Sequence, residues 1–228
     1  MKFYSIKNSI DDIGEGGFPQ SQTIDLDHGR TVRDYDFIWN IHWNQKPNFQ
    51  PYIGTIVLED KSTLTDFISS ATVSSGFLCS ERAKKIIDKY DNGQVYFYPL
   101  NVRHKNNIYT DYWYLHCTND ISDNIDLPNC LFQLFYFDGL TKFTNPLQIE
   151  SAEMLEEINE KLLFRRDGSK WTDIEPTRIK FKSGFQITDN IFNIGRIDFK
   201  QYVSDQLKTE LEKHNITGIR YNETMIFA

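Results

Sequence analysis

Cys79 carries the clearest nucleophile signal in the chain. Residues 79–93 read CSERAKKIIDKYDNG, with Arg82, Lys84 and Lys85 close behind the thiol. A cysteine at a helix start among cations would ionise below its ordinary range and could attack an acyl centre. It would need a histidine from elsewhere, such as His42 or His104. His116 directly precedes Cys117, but adjacent strand residues point to opposite faces, so that imidazole does not activate that thiol. Cys130 completes a count of three cysteines. The number is odd and no C-x-x-C occurs, so neither a disulfide framework nor a structural zinc site is expected. Buried, reduced thiols are the plainer expectation, and a cysteine-dependent hydrolase or transferase is the alternative.

Asp25, Asp27, His28, Asp34 and Asp36 crowd the stretch DLDHGRTVRDYD, but the glycine and glutamate of a calcium loop are misplaced. A solvated acidic loop is expected there, and no metal. GEGG at 14–17 lacks the following Lys-Ser/Thr of a phosphate loop and reads as flexible chain. Glu150, Glu153, Glu156, Glu157 and Glu160 crowd one helical segment, opposite an apolar stripe of Met154, Leu155, Ile158 and Leu162. That face is either ordinary solvated surface or a docking surface for a basic protein. Trp39 and Trp43 share a period-2 face with Phe37, which is either core or a set of interface anchors.

The elements that position these groups follow from pattern. Ser80 precedes Ala83, Ile86, Ile87 and Tyr90, one apolar stripe of a helix. Ser80 would cap that helix, Glu81 and Lys89 suit its dipole, and Gly93 would end it. The pattern recurs 124 residues later in VSDQLKTELEKHNITGIRY. Ser80 meets Ser204, Glu81 meets Asp205, Lys84 meets Lys208, and Ile87 meets Leu211. Gly93 corresponds to Gly218 after a one-residue slip, and each glycine leads to an aromatic strand, at Tyr96 and Tyr221. Cys79 has the inert Val203 as its counterpart, which favours packing over reaction.

Strands are expected at 1–10, 35–44, 55–60, 94–103, 108–118, 130–137, 178–187 and 190–194, and before and after the second echoed helix. A loop of about four residues would join the 94–103 and 108–118 strands. Helices are expected near 62–70, from Ser80, near 150–162 and from Ser204; 166–177 reads as loop. The result is an α+β protein of mainly antiparallel sheet, three or four packed helices and two echoed helix–glycine–strand units. An N-terminal lobe at 1–76 and a core at 77–228 are expected, possible as one continuous domain.

Composition narrows the partners. The 228 residues carry a net charge of -7, with 39% hydrophobic and 14% aromatic content, enough for a substantial core. No basic stripe suits a nucleic acid, and no apolar run approaches the ~20 residues of a membrane span. No signal peptide is read at the N-terminus, so a cytoplasmic location is expected.

The stretches TDFISSATVSSGFLCSERAKKIIDKYDNG, VYFYPLNV, YWYLHCTNDISDNIDLPNC, NIFNIGRIDF and YVSDQLKTELEKHNITGIRY carry a resemblance. Together they resemble a family of bacterial immunity proteins from polymorphic-toxin systems, formerly a domain of unknown function. Asn193 stands where that family often has Arg, and Cys130 where it often has Ser. The resemblance implies a non-enzymatic protein that binds and neutralises a cognate toxin, with no catalytic residue and no cofactor. Glu150, Glu153, Glu156, Glu157, Glu160, Trp39 and Trp43 are the candidate toxin-facing residues. Ser80, Gly93, Ser204, Gly218 and Tyr221 are motif residues with structural roles. A peptide- or carbohydrate-binding module using exposed tryptophans is a further alternative.

Overall fold

The computed structural model describes residues 2–73, 76–137, 142–164, 171–195 and 197–223. In chain order the strands and helices are β1 (Phe3–Asn8), β2 (Ser21–Asp25), β3 (Thr55–Leu58), β4 (Phe67–Ile68), β5 (Phe77–Ser80), α1 (Glu81–Ile87), β6 (Val95–His104), β7 (Asn107–Cys117), β8 (Leu131–Phe137), β9 (Lys142–Leu147), α2 (Ala152–Phe164), β10 (Trp171–Arg178), β11 (Ile191–Ile194), β12 (Asp198–Ser204), α3 (Asp205–Lys213) and β13 (Ile219–Glu223). The class is α+β, with mainly antiparallel pairing and three α-helices among the described residues. The parallel pair β3–β6 is the exception.

The chain divides into two compact units. The first comprises Met1–Asp120, Asp189–Asn193 and Lys200–Glu223; the second comprises Ile121–Thr188 and Ile194–Phe199. The boundary expected after residue 76 falls inside the first unit, because β4 pairs with β5 and β3 pairs with β6 across it.

In the first unit, a six-stranded sheet runs β2-β3-β6-β7-β5-β4. Its edges meet where Ser21 bridges Ser70 in parallel, with Ser21 N–H donating to the Ser69 carbonyl at 3.1 Å and Ala71 N–H to the Ser21 carbonyl at 2.9 Å. The sheet therefore closes on itself. Gln20, fully buried, latches the seam: its Nε2 donates to the Thr63 carbonyl at 2.7 Å and its Oε1 accepts from Ser69 N–H at 3.0 Å. Such a group is tolerated inside because its hydrogen-bonding capacity is met. One face of the sheet buries Ile56, Ile68, Leu78, Tyr98, Val102 and Tyr114 with Phe37 and Ile53. The opposite face meets α1, α3 and a second sheet, β11-β12-β1-β13, around Phe67, Cys79, Ile87, Leu115, Val203 and Leu211.

The sequence echo is deeper than its helices. β4-β5-β7-β6 and β11-β12-β1-β13 have the same strand order, with α1 and α3 leading from the second strand of each to the fourth. The equivalent residues below are 124 apart, except Trp113 and Tyr4, which lie on the third strands β7 and β1. Ser80 Oγ accepts from Ala83 N–H at 3.3 Å and donates to Asp66 Oδ1 at 2.6 Å. Ser204 Oγ accepts from Leu207 N–H at 3.2 Å and donates to Asn190 Oδ1 at 2.7 Å. Lys84 reaches Asp88 at 2.5 Å over Phe97 and Trp113, and Lys208 reaches Glu212 at 2.7 Å over Tyr221 and Tyr4. Glu81 accepts from the Trp113 indole at 2.6 Å, and Asp205 from the Tyr4 hydroxyl at 3.0 Å. The third strand of the first repeat, β7, follows it in the chain. In the second repeat that place is filled by β1, delivered from the N-terminal end of the chain.

Several expectations are corrected. Residues 35–44 form no strand but a loop with one 3-10 turn at Ile38–Asn40; Phe37, Ile38 and Ile41 are buried while Tyr35 and Trp39 face solvent. The expected helix at 62–70 is extended chain, because Phe67 and Ile68 pair with Cys79 and Leu78. β10 occupies 171–178, where loop is expected over 171–177, and pairs with β8; beyond Arg178 the expected strand gives way to isolated bridges at Ile179 and Phe181 and a turn. The β6–β7 turn has two residues, not four, with Lys105 at φ 56°. β2, β5 and β9 are additional strands.

Gly93 and Gly218 have the expected positive φ, 92° and 78°, but neither ends its helix. α3 stops at Asn215, φ 50°, where Ile216 N–H bonds the Leu211 carbonyl at 3.1 Å and Asn215 N–H the Glu212 carbonyl at 2.9 Å. That is a Schellman closure with asparagine in the left-handed position. Gly218 answers a packing demand, since a Cβ there would overlap the Phe67 carbonyl oxygen. The strand counterpart of Tyr221 is Phe97, not Tyr96, because the 124-residue register resumes beyond the glycines.

In the second unit, β8 lies between β10 and β9 in an antiparallel sheet, and α2 packs on β10. Cys130, Phe132, Ile149, Leu155, Ile174 and Ile179 are buried there. The three turns of α2 begin where Ser151 Oγ accepts from Met154 N–H at 3.2 Å.

Candidate functional site

The candidate groups divide between the two units. In the first unit, residues 26–54 connect β2 to β3 with no strand or α-helix of their own. Connections this long are uncommon in compact domains and are usually functional. This one is braced throughout. Arg30 reaches Asp34 at 3.2 Å and Asp36 at 2.6 Å, and its guanidinium lies 4.1 Å over the Tyr52 ring. Thr31 donates twice to Asp34, which holds that carboxyl below its ordinary range. Phe37 bridges Tyr52, and Asp27 N–H donates to the Tyr52 hydroxyl at 2.6 Å. Asp34 and Asp36 are therefore engaged with Arg30. Among the described residues no group of three or more His, Cys, Asp or Glu is placed to hold a metal.

This braced loop displays aromatic rings. Tyr35 is 78% exposed and packs edge-on against Phe49 at 6.1 Å; Trp39 is 53% exposed and packs edge-on against Phe37 at 5.2 Å. The Trp39 indole N–H donates to the Thr72 carbonyl at 2.8 Å, which fixes the ring. Trp43 is half-buried and stacked on His42. The two tryptophans thus differ: Trp39 presents surface, whereas Trp43 is partly covered. Period-2 spacing would put Tyr35 on the half-buried face of the strand expected at 35–44. The signal that could have exposed it was the turn-rich sequence on both sides, HGRTVRD and NQKPNFQP.

In the second unit, Glu153, Glu156, Glu157 and Glu160 are exposed on α2, and Glu150 is exposed just before it. Leu155 is buried and Met154, Ile158 and Leu162 are half-buried, so the apolar stripe packs inward as its spacing requires. Glu157 pairs loosely with Lys161 at 3.7 Å, a contact of little energetic weight at the surface. The hydroxyl of Ser151 keeps the Glu153 carboxyl below its ordinary range.

The thiols are enclosed. Cys79 is completely buried, and burial pushes its thiol far up despite the opposing pull of Lys84. Burial likewise pushes Cys117 up to about 12. Cys130 is 1% exposed, is also raised by burial, and donates to the Asp126 carbonyl at 3.2 Å. A thiolate is the attacking species, so these sites disfavour nucleophilic chemistry. Part of GEGG is held: Gly14 bridges Ser62, and a Cβ on Gly16 would collide with the Ser62 side chain, whereas Gly17 is exposed with open space around it.

No protein-family model matches the sequence, and no curated protein matches it. Among the described residues no helix is long and apolar enough to cross a membrane.

Proposed function

We propose that this chain is an immunity protein: it binds a cognate bacterial toxin in the cytoplasm and neutralises it by occlusion, without chemistry of its own. The observation that carries the reading is the braced loop presenting Tyr35 and Trp39. Large aromatic side chains on pre-ordered backbone are what protein interfaces use as anchors, since little entropy remains to be lost on binding. The fixed indole of Trp39 fits that role. The resemblance in the echoed helix–strand segments points to the same class.

The exposed carboxylates of α2 support an encounter role. A basic toxin domain would be attracted to Glu150, Glu153, Glu156, Glu157 and Glu160 before docking. Enclosure of all three thiols favours binding over the cysteine-hydrolase alternative. Cys79→Ala is therefore expected to keep toxin protection, and a folded Cys79→Ala chain that no longer protects would overturn that choice. An exposed tryptophan also suits a peptide- or carbohydrate-binding module. Retention on an immobilised toxin domain but not on glycan resins favours the immunity reading; the reverse favours the module.

A further inference from the structure

We propose that Asn92-Gly93 is a self-modification site, where deamidation severs a tie between the two repeats of the first unit. It is the only Asn-Gly pair in the 228 residues. Both residues are exposed. Gly93 has φ 92°, and nothing lies within 4 Å of the position a Cβ would occupy, so its Cα is uncrowded and solvent reaches the peptide. The surrounding turn is held by Asp91 Oδ1, which accepts from Gln94 and Val95 N–H, each at 3.1 Å. Among the described residues the Gly93 N–H makes no hydrogen bond. That nitrogen is therefore available as a nucleophile beside the Asn92 amide.

The chemistry balances with water alone. The Gly93 nitrogen, giving up its proton to solvent base, bonds to Asn92 Cγ. The Cγ–Nδ2 bond breaks and ammonia leaves, closing a five-membered imide. Water then adds to one imide carbonyl and opens the ring to aspartate or to its backbone-extended isomer. Each event consumes one water and releases one ammonia.

What the amide does before the reaction gives the step its consequence. Asn92 Nδ2 donates to Asp189 Oδ1, and the neighbouring Asn190 Nδ2 donates to the Tyr90 carbonyl at 3.3 Å. These bonds fasten the segment after α1 to the residues entering β11. Asn190 also accepts from Ser204, the cap of α3. Conversion replaces a donor at 92 with a carboxylate facing Asp189. The hydrogen bond is lost and two like charges meet.

The test is incubation of the purified full chain at mildly alkaline pH, followed by peptide mapping. The peptide containing residue 92 is expected to gain the mass of amide-to-acid conversion and split into two isomers ahead of every other asparagine. Asn92→Gln should lose both species. Conversion elsewhere first, with residue 92 intact, overturns the site. Asn92→Asp, standing in for the product, should lower Tm and speed hydrogen exchange in 189–193. Asn92→Asp combined with Asp189→Asn should restore both. An unchanged Tm and exchange rate in Asn92→Asp, or no recovery in the double variant, overturns the tie.

Discussion

Ser204 donates its hydroxyl to Asn190 at 2.7 Å while accepting from the amide that starts α3. Ser80 does the same with Asp66 at 2.6 Å, at the start of α1. The serine pair and their acceptors keep one spacing, and their main chains are joined as well: Ser80 N–H bonds the Asp66 carbonyl at 2.7 Å, and Ser204 N–H the Asn190 carbonyl at 2.9 Å. Asp66 also accepts from the Thr217 hydroxyl and backbone, each at 3.1 Å, and Asn190 donates to the Tyr90 carbonyl. Each repeat thus grips the segment that follows the other repeat's helix.

The acceptors differ in charge, and that difference is testable. Losing a helix cap costs about 1 kcal/mol. Each serine also donates a second bond, Ser204 to a neutral amide oxygen and Ser80 to a carboxylate, and charge-assisted bonds are about twice as strong as neutral ones. With about 1 kcal/mol for a neutral bond, Ser204→Ala should cost about 2 kcal/mol and Ser80→Ala about 3 kcal/mol in urea unfolding. Equal costs would show that the Asp66 charge contributes nothing.

Cys79 and Val203 occupy equivalent places in one core. Cys79→Val should cost less than about 1.5 kcal/mol, as swaps of similar volume do. In the native chain Cys79 and Cys117 should resist thiol reagents that label them readily in denaturant. Rapid native labelling of Cys79 would contradict its enclosure.

Gln20 closes the six-stranded sheet at its seam. Gln20→Leu leaves the Thr63 carbonyl and the Ser69 N–H without this partner, each worth about 1–3 kcal/mol when buried. A loss of about 3 kcal/mol is expected, with hydrogen exchange rising in β2 and β4 before α3. Uniform protection across the variant would argue against a latch.

His116 is 1% exposed, with Nε2 at 3.0 Å from the Gln45 carbonyl, and burial lowers its pKa below the ordinary 6.5, with His42 adding to the effect. A depressed histidine means that the unfolded chain binds the proton more readily. Stability contributed by this site is full above pH 6.5 and falls as pH drops below it. His116→Gln should flatten that part of the stability–pH curve; an unchanged slope would assign the acid loss elsewhere.

What the sequence made legible was governed by local grammar. The caps Ser80 and Ser204, their apolar stripes and the strands beside them need only near neighbours to be recognised. The stretch 35–44 misled because Tyr35, Phe37, Trp39, Ile41 and Trp43 alternate while the backbone turns at Ile38–Asn40. Spacing of period 2 says nothing of which partner strand exists, and among the described residues 35–44 has only the isolated bridge of Phe37 to Tyr52. Residues 62–70 carry a capping pattern, but their hydrogen bonds go to Gln20, Ser21 and Thr217, all distant in sequence. β1 as the missing strand of the second repeat was invisible for the same reason, since its partners lie some two hundred residues away. Of the candidate surfaces, the carboxylates of α2 were readable from helical period, whereas the exposure of Tyr35 required the loop.

Charge reversal on α2 separates encounter from anchoring. Glu153, Glu156 and Glu157 are exposed, so replacing all three with Lys should leave the fold intact. Association with a basic toxin domain should slow by about tenfold at low salt and converge with wild type at high salt. Unchanged association at low salt would remove α2 from the toxin-facing surface.

The central claim is tested most directly by measuring complex formation between this chain and a candidate toxin domain, with growth protection recorded in the same cells. The proposal predicts a stoichiometric complex that protects, and a Tyr35→Ala/Trp39→Ala variant that folds, binds at least about tenfold more weakly and fails to protect. Protection without a complex, or full binding by the double variant, would contradict it.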